Sequence, residues 1–409
     1  MNRRTVLKLA GLTAARASAA LLPDHSLFNK DPEAFWQRVR ADQFLMPAWR
    51  TYLNNGSLGV APKPVVDAVS NYTARSAGLP VDGEYPRWGY ETLDEYRTEY
   101  AEFVGCKKDE LAFGHNATEA MSTIAAGLDL KEGDEVLITD QEHPSGKGPW
   151  MRRQARDRIT VREVKLPIPP KNPEQLIDVV ISAIGPRTRV LSFSGILTTT
   201  GLIMPVRAIC DAARAKGCIT VVDGAHMNGQ IPTRLDDLGC DLFAGSPHKW
   251  LFAPPGCGLL YIREPMLEKL WPTTVTGNWD NYSLKAARFM MVGTNNRAVF
   301  EGLMEGLRFH KALGSQPIYD RIHQLAKSVY RRASQLPYVE MLTPPDERMY
   351  GGLVTFQVKD PAIDKRFRAL CSHRRIWIYG GQHLRVATHI HTRPSDLDLL
   401  FEALAEAAA

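Results

Sequence analysis

The sequence predicts an α/β chain: an open, mostly parallel sheet in a large domain, followed by a smaller C-terminal α+β domain. Three observations predict it. Between residues 111 and 262, short β-rich apolar runs alternate with segments of helical length, the pattern of right-handed β–α–β crossovers. Two of those runs, 218–222 ending at Asp223 and 240–244 entering Gly245-Ser246-Pro247-His248-Lys249-Trp250, are apolar and bounded by turn residues, as buried parallel strands are. Beyond Asn296 the alternation gives way to two long helical stretches and then short strands.

With 409 residues and 44% apolar content, the chain can bury a sizeable core in two domains. It has no low-complexity tract and no internal repeat. The expected division is a leader at 1–22, an N-terminal segment at 23–55, a large domain at 56–295 and a small domain at 296–409. The formal charge is +5, but Arg3, Arg4, Lys8 and Arg16 lie in the leader. The remainder is close to balanced, so nucleic acid is not an expected partner. The six cysteines are scattered without metal-ligand spacing, so neither a metal site nor a disulfide framework is expected.

The elements follow in order. Arg3-Arg4, then Val6-Leu7-Lys8, a modest apolar region and Ala17-Ser18-Ala19 resemble a twin-arginine export signal. This implies a partnership with the twin-arginine machinery and a periplasmic or exported enzyme. The apolar region is shorter than the about 20 residues a membrane span needs. Residues 31–46 read as a helix with Asp31 as N-cap and Pro32 at its first position. An extended piece then ends in the turn Asn54-Asn55-Gly56-Ser57, either a plain connection or the edge of a pocket that Gly56 lets a ligand approach. A helix at 62–77, a Pro/Gly-rich loop at 79–89 carrying Tyr85, Arg87 and Trp88, a helix at 90–104 and a strand at 111–114 come next. At His115-Asn116-Ala117-Thr118-Glu119 a strand gives way to a helix, whose N-terminal amides suit a phosphate and whose Asn116 and Thr118 suit caps. The strand 135–139 delivers Gln141-Glu142-His143. A helical stretch at 145–157, a strand at 159–164, a helix from 174 and a strand at 189–194 continue the alternation. Thr198 sits in the loop that follows, and a helix at 205–216 precedes Asp223. The run 256–262 reads as a hairpin partner of the preceding strand. Thr294 lies just before helices at 297–313 and 317–335. Strands at 339–342, 352–358 and 376–379, a helix at 362–373, a strand at 384–390 and a helix from 395 complete the chain.

Lys249 stands 26 residues after Asp223, each at the carboxyl end of a strand, where open α/β sheets bind ligands. This pair suits pyridoxal 5′-phosphate (PLP). A lysine condenses with the cofactor aldehyde, and a carboxylate holds the protonated pyridine nitrogen. Either residue alone would be an ordinary strand end.

DGAHM followed by GSPHKW resembles the class V aminotransferases of fold-type I, and YLNNGSLG resembles the isopenicillin N epimerase-like branch. The resemblance implies a fold-type I PLP-dependent enzyme whose catalytic residues are Lys249, Asp223 and His143. Asn116, Ala117, Thr118, Ser246 and His248 would reach the phosphate. Ala225 would pack under the ring, His226 would lie near its phenolic oxygen, His143 would stack on its face, and Thr198 would touch it. Thr294 would reach the phosphate of a neighbouring subunit, which implies a homodimer. Asn55, Gly56 and Arg385 would bind substrate, with Arg385 clamping a carboxylate.

The implied activity is chemistry at the Cα of an amino acid, or of an amino-acid residue in a larger metabolite such as a siderophore: transamination, epimerisation or side-chain modification. A cysteine desulfurase or selenocysteine lyase is the alternative within catalysis. It is disfavoured because 378–385 contains no cysteine and the nearest, Cys371, falls in a helix. A PLP-binding protein without chemistry is the alternative of another class. A nucleotide-binding α/β protein is weaker still, since no GxGxxG follows the first strand.

Overall fold

The computed structural model describes residues 22–23, 25–78, 92–381 and 383–409. The twin-arginine motif and the loop at 79–89 lie outside them. Among the described residues the strands are β1 (Thr51–Tyr52), β2 (Leu111–Gly114), β3 (Glu135–Thr139), β4 (Thr160–Val164), β5 (Thr188–Ser194), β6 (Ile219–Asp223) and β7 (Leu242–Gly245). They continue with β8 (Gly258–Ile262), β9 (Val339–Met341), β10 (Leu353–Val358), β11 (Ile376–Trp377), β12 (Tyr379–Gly380) and β13 (Leu384–Ala387).

The apolar runs of the first half become a seven-stranded sheet in the order β2-β8-β7-β6-β5-β3-β4. Successive neighbours from β4 to β7 pair in parallel. Only β8 runs against its neighbours, as the hairpin reading of 256–262 expects. Strands β3, β7 and β8 are buried at every position, because helices cover both faces of such a sheet. Every parallel strand therefore empties at one edge, and the residues just beyond β2, β3, β5, β6 and β7 meet there.

The C-terminal strands form a four-stranded antiparallel sheet in the order β12-β13-β10-β9. Its own core gathers Val354, Phe356, Phe367, Leu384, Leu400 and Leu404 beneath the helices Ser315–Ser334, Pro361–His373 and Pro394–Ala408. Leu53 belongs to this core, and β1 pairs in parallel with β11. The N-terminal segment thus returns to the far end of the chain.

Three local readings change. The expected strand 376–379 divides at Ile378, because its first half pairs with β1 and its second half with β13. The strand expected to reach 390 stops at Ala387. Beyond it His389 and Thr392 close a buried turn, with Thr392 N donating to His389 O at 2.9 Å. A helix at His25–Lys30 was not expected; its Phe28 packs edge-on against Phe35 and Trp36. The helix Pro32–Gln43 does carry the cap read from sequence, Asp31 accepting from Ala34 N. All six cysteines are free. No described helix is long and apolar enough to cross a membrane.

Candidate active site

At the carboxyl edge of the large sheet lies a cleft of about 570 Å³, within the size range of cofactor sites. Gly56, Asn116, Ala117, Thr118, His143, Thr198, Asp223, Ala225, His226, Ser246, His248, Lys249 and Arg385 all line it. The fold thus gathers residues scattered over most of the sequence.

Lys249 sits in the helical turn Pro247–Trp250 that follows β7. Burial brings its amine down to about 8, against the opposing pull of Asp223, so the neutral form is a minority of about a tenth at pH 7 and reaches half near pH 8. Its Nζ lies 3.2 Å from His226 Nε2. The indole N–H of Trp250 donates to His226 Nδ1 at 3.2 Å. The proton of the neutral ring therefore resides on Nε2, facing the lysine. Burial, reinforced by Lys249, holds the imidazole well below its ordinary pKa, so His226 presents an N–H donor without a charge.

Asp223 ends β6 and is almost fully buried; its Oδ1 accepts from Ala225 N at 3.0 Å. At the opposite end of the cleft the helix Ala117–Gly127 begins, capped by Asn116, which accepts from Glu119 N. Ser246 Oγ accepts from Ala117 N at 3.1 Å, which ties the turn after β7 to this helix N-terminus. His248 Nδ1 lies 3.3 Å from the Cys257 carbonyl. His143 caps the helix Pro144–Asp157 through Nδ1, which accepts from Ser145 N at 3.1 Å. That bond fixes the ring's orientation.

Arg385 projects from β13, on the small domain. One arm donates to Thr198 Oγ1 at 2.5 Å, the other to Ser57 Oγ at 2.7 Å and to Asn54 Oδ1 at 3.2 Å. Its guanidinium lies over the Tyr379 ring, 4.5 Å from the centroid. Nε is buried and unpartnered, a donor left over in a cationic group that burial alone would disfavour.

Two expected residues sit elsewhere. Asn55 is buried behind the cleft, where its amide donates to the Lys249 carbonyl at 2.7 Å and its oxygen lies 3.2 Å from His391 Nε2. It holds the lysine's backbone and does not line the cleft. Thr294 is exposed and outside the lining of this chain's cleft. The sequence reading missed Ser57, Glu142, Ser194 and Tyr379, all of which line it. For Tyr379 and Ser57 the signal was present, since both flank segments already tied to substrate. Glu142 and Ser194 carried none beyond their places at strand ends.

The donor set fits PLP: a carboxylate at one end, an amine with a neutral hydrogen-bond donor beside it, and a helix N-terminus with Ser246 at the other. Among the described residues no group of His, Cys, Asp or Glu could hold a metal ion.

A family profile described as "Aminotransferase class-V" matches residues 51–395. The chain is similar to isopenicillin N epimerase of Streptomyces clavuligerus, 31% identical over 395 residues that cover 91% of this chain and 98% of that protein. It is also similar to a probable cysteine desulfurase of Halalkalibacterium halodurans, 29% identical over 325 residues, 76% of this chain and 78% of that one. Among solved structures it matches a lysine-to-alanine mutant of C-DES with glycine covalently linked to its PLP cofactor. The TM-score is 0.79 at 24% identity, covering 94% of this chain and 99% of that chain, a likeness of fold.

Proposed function

The chain belongs to the aminotransferase class-V family of fold-type I PLP enzymes, and we propose that it acts at the Cα of an amino acid, or of an amino-acid residue within a larger metabolite. PLP, when bound, accepts the electron pair left when a Cα bond breaks. This chain's residues do the rest. Asp223 would hold the ring nitrogen, and Ala117, Thr118, Ser246 and His248 would hold the phosphate at the helix N-terminus. His143 would cover the ring face. Arg385 receives the substrate carboxylate, joined by the Ser57 and Thr198 hydroxyls that it already engages. Lys249 takes the Cα proton at Nζ, for which an amine near pKa 8 is suited at neutral pH.

The observation that carries this reading is the pairing of a buried lysine of lowered pKa with a buried arginine across one cleft that no cysteine lines. Epimerisation or transamination is favoured over desulfuration for the same reason. Cys371 is buried in the helix Pro361–His373, outside the cleft, and burial pushes its thiol up to about 12. A persulfide-forming thiol has to be exposed and easily ionised. The similarity to isopenicillin N epimerase supports the same choice.

Borohydride reduction of the purified enzyme, followed by peptide mass mapping, tests the assignment. The cofactor should be found fixed on Lys249, and the visible absorbance band should vanish in Lys249→Ala. Wild-type protein prepared with PLP and bearing no lysine-bound cofactor would overturn the reading. Deuterium uptake at Cα in a screen of amino acids and small peptides then identifies the substrate. Sulfide release from cysteine that is lost in Cys371→Ser would restore the desulfurase.

A further inference from the structure

Glu142 is a titratable group in the cleft that the chemistry above leaves without a task. It stands three residues beyond β3. Its Oε1 accepts from the Thr139 hydroxyl at 2.5 Å and its Oε2 from the Ser194 hydroxyl at 2.7 Å. The residue keeps some exposure because it lines the open cleft, while its carboxyl group is packed deep among protein atoms. A Cβ built on Gly146 would lie 3.2 Å from Asp223 Oδ2 and 3.9 Å from Glu142 Oε2. One point thus touches both carboxyl groups, and the two oxygens are no more than about 7 Å apart.

Two carboxylates this close, away from bulk water, resist ionising together. The groups around Glu142 do not relieve the conflict. Asp223 faces it from the end of β6, His143 adjoins it on its own loop, and Lys249 and Arg385 stand across the cleft on other elements. No ion pair reaches Glu142 among the described residues. Burial is the largest influence on it and Asp223 adds to it, so that Glu142 is raised to about 7 despite its hydroxyl donors.

We infer that Glu142 is a positioning residue acting through Asp223, a second carboxyl group that gives up its proton when a cationic ring nitrogen is seated on Asp223. That nitrogen supplies the positive charge the pair lacks. It arrives with its proton, and the proton lost from the Glu142 oxygen leaves to solvent through the cleft; no other bond changes. Glu142 then adds a second negative charge behind the ring, which strengthens the hold on the protonated nitrogen. A purely structural role for Glu142 would need only the hydrogen bonds to Thr139 and Ser194, which a neutral amide can largely supply.

The experiment compares wild type with Glu142→Gln as apoenzymes titrated with PLP. Protein fluorescence gives the affinity, and calorimetry in buffers of different ionisation enthalpy gives the protons released. At pH 7, where a carboxyl group raised to about 7 is half protonated, wild type should release up to about half a proton more than Glu142→Gln. Its affinity should be about tenfold higher than the variant's at pH 8, a difference of one pKa unit's worth of interaction, and within about twofold of it at pH 6. The extra proton should vanish when 1-deaza-PLP, which has no ring nitrogen, replaces PLP. Glu142→Asp keeps the charge and should retain the pH dependence even if it binds more weakly. Equal proton release in wild type and Glu142→Gln would overturn the inference. So would the same loss of affinity at both pH values, or an unchanged extra proton with 1-deaza-PLP. Failure of PLP itself to bind would instead contradict the cofactor assignment, and is read separately from the lysine-bound band.

Discussion

Lys249 draws its character from burial, and that has a measurable sign. Its pKa is lowered to about 8, so the neutral amine that condenses with an aldehyde grows in as pH rises through 8. The second-order rate of PLP incorporation into apoenzyme should rise between about pH 7 and pH 9 and level off above. A rate flat across that window would mean that the amine is not desolvated as described. Arg385 permits a second prediction. A charge-assisted bidentate contact contributes about 1.5–3 kcal/mol, so Arg385→Gln should weaken binding of carboxylate-bearing substrates about 10–100-fold. It should leave the corresponding amides nearly unaffected, as spectral titration of the cofactor would show. Lys249 and Asp223 were legible in the sequence because each follows or ends a buried strand inside a distinctive motif, and Arg385 through the family resemblance that implied it. Glu142 was not, since an acidic residue in a polar turn reads as solvated until the fold closes β5 and β6 around it. Asn55 was read as a pocket residue from the resemblance of its turn. Only the tertiary contact with the Lys249 carbonyl reveals that it braces the lysine from behind.

The elements around the cleft are held at tolerances set by missing side chains. A Cβ on Gly258, in β8, would stand 2.4 Å from Asn116 N, and one on Gly59 would stand 2.2 Å from the Lys249 carbonyl oxygen. Both obstructions are backbone, so they cannot swing aside. Gly258→Ala should push β8 away from the start of the helix Ala117–Gly127, the proposed phosphate cradle. A loss of about 1–3 kcal/mol in stability is expected from such overpacking, together with weaker phosphate binding by the apoenzyme. Unchanged melting temperature and phosphate affinity would show that the strand yields. The inner strands of the large sheet were legible almost residue by residue, because burial on both faces writes them as mostly apolar runs. The division of 376–379 between two sheets was not, since an alternating run carries no record of which partner each half will choose.

For the whole molecule, the expected homodimer and export remain proposals with direct tests. Thr294 lies outside its own cleft, which suits a residue that serves a neighbouring subunit. Active enzyme should sediment as a dimer, and Thr294→Ala should weaken PLP retention in it. A fully active monomer would contradict this. Replacing Arg3 and Arg4 with lysine should keep a folded, cofactor-loaded enzyme in the cytoplasm, and unchanged export on fractionation would dismiss the leader. The two-part architecture was legible from the change in alternation near Asn296, whereas the return of the N-terminal segment to the last sheet was not. That return fixes an order of events during synthesis. Asn54 meets Arg385 across 331 residues, and β1 finds its partner only in β11. The ribosome must therefore deliver nearly the whole chain before the carboxylate end of the cleft exists. The sheet edges proposed to hold ring and phosphate are complete more than a hundred residues earlier. A nascent chain stalled after β8 could already begin to shape the cofactor's seat, while the power to choose a substrate arrives last.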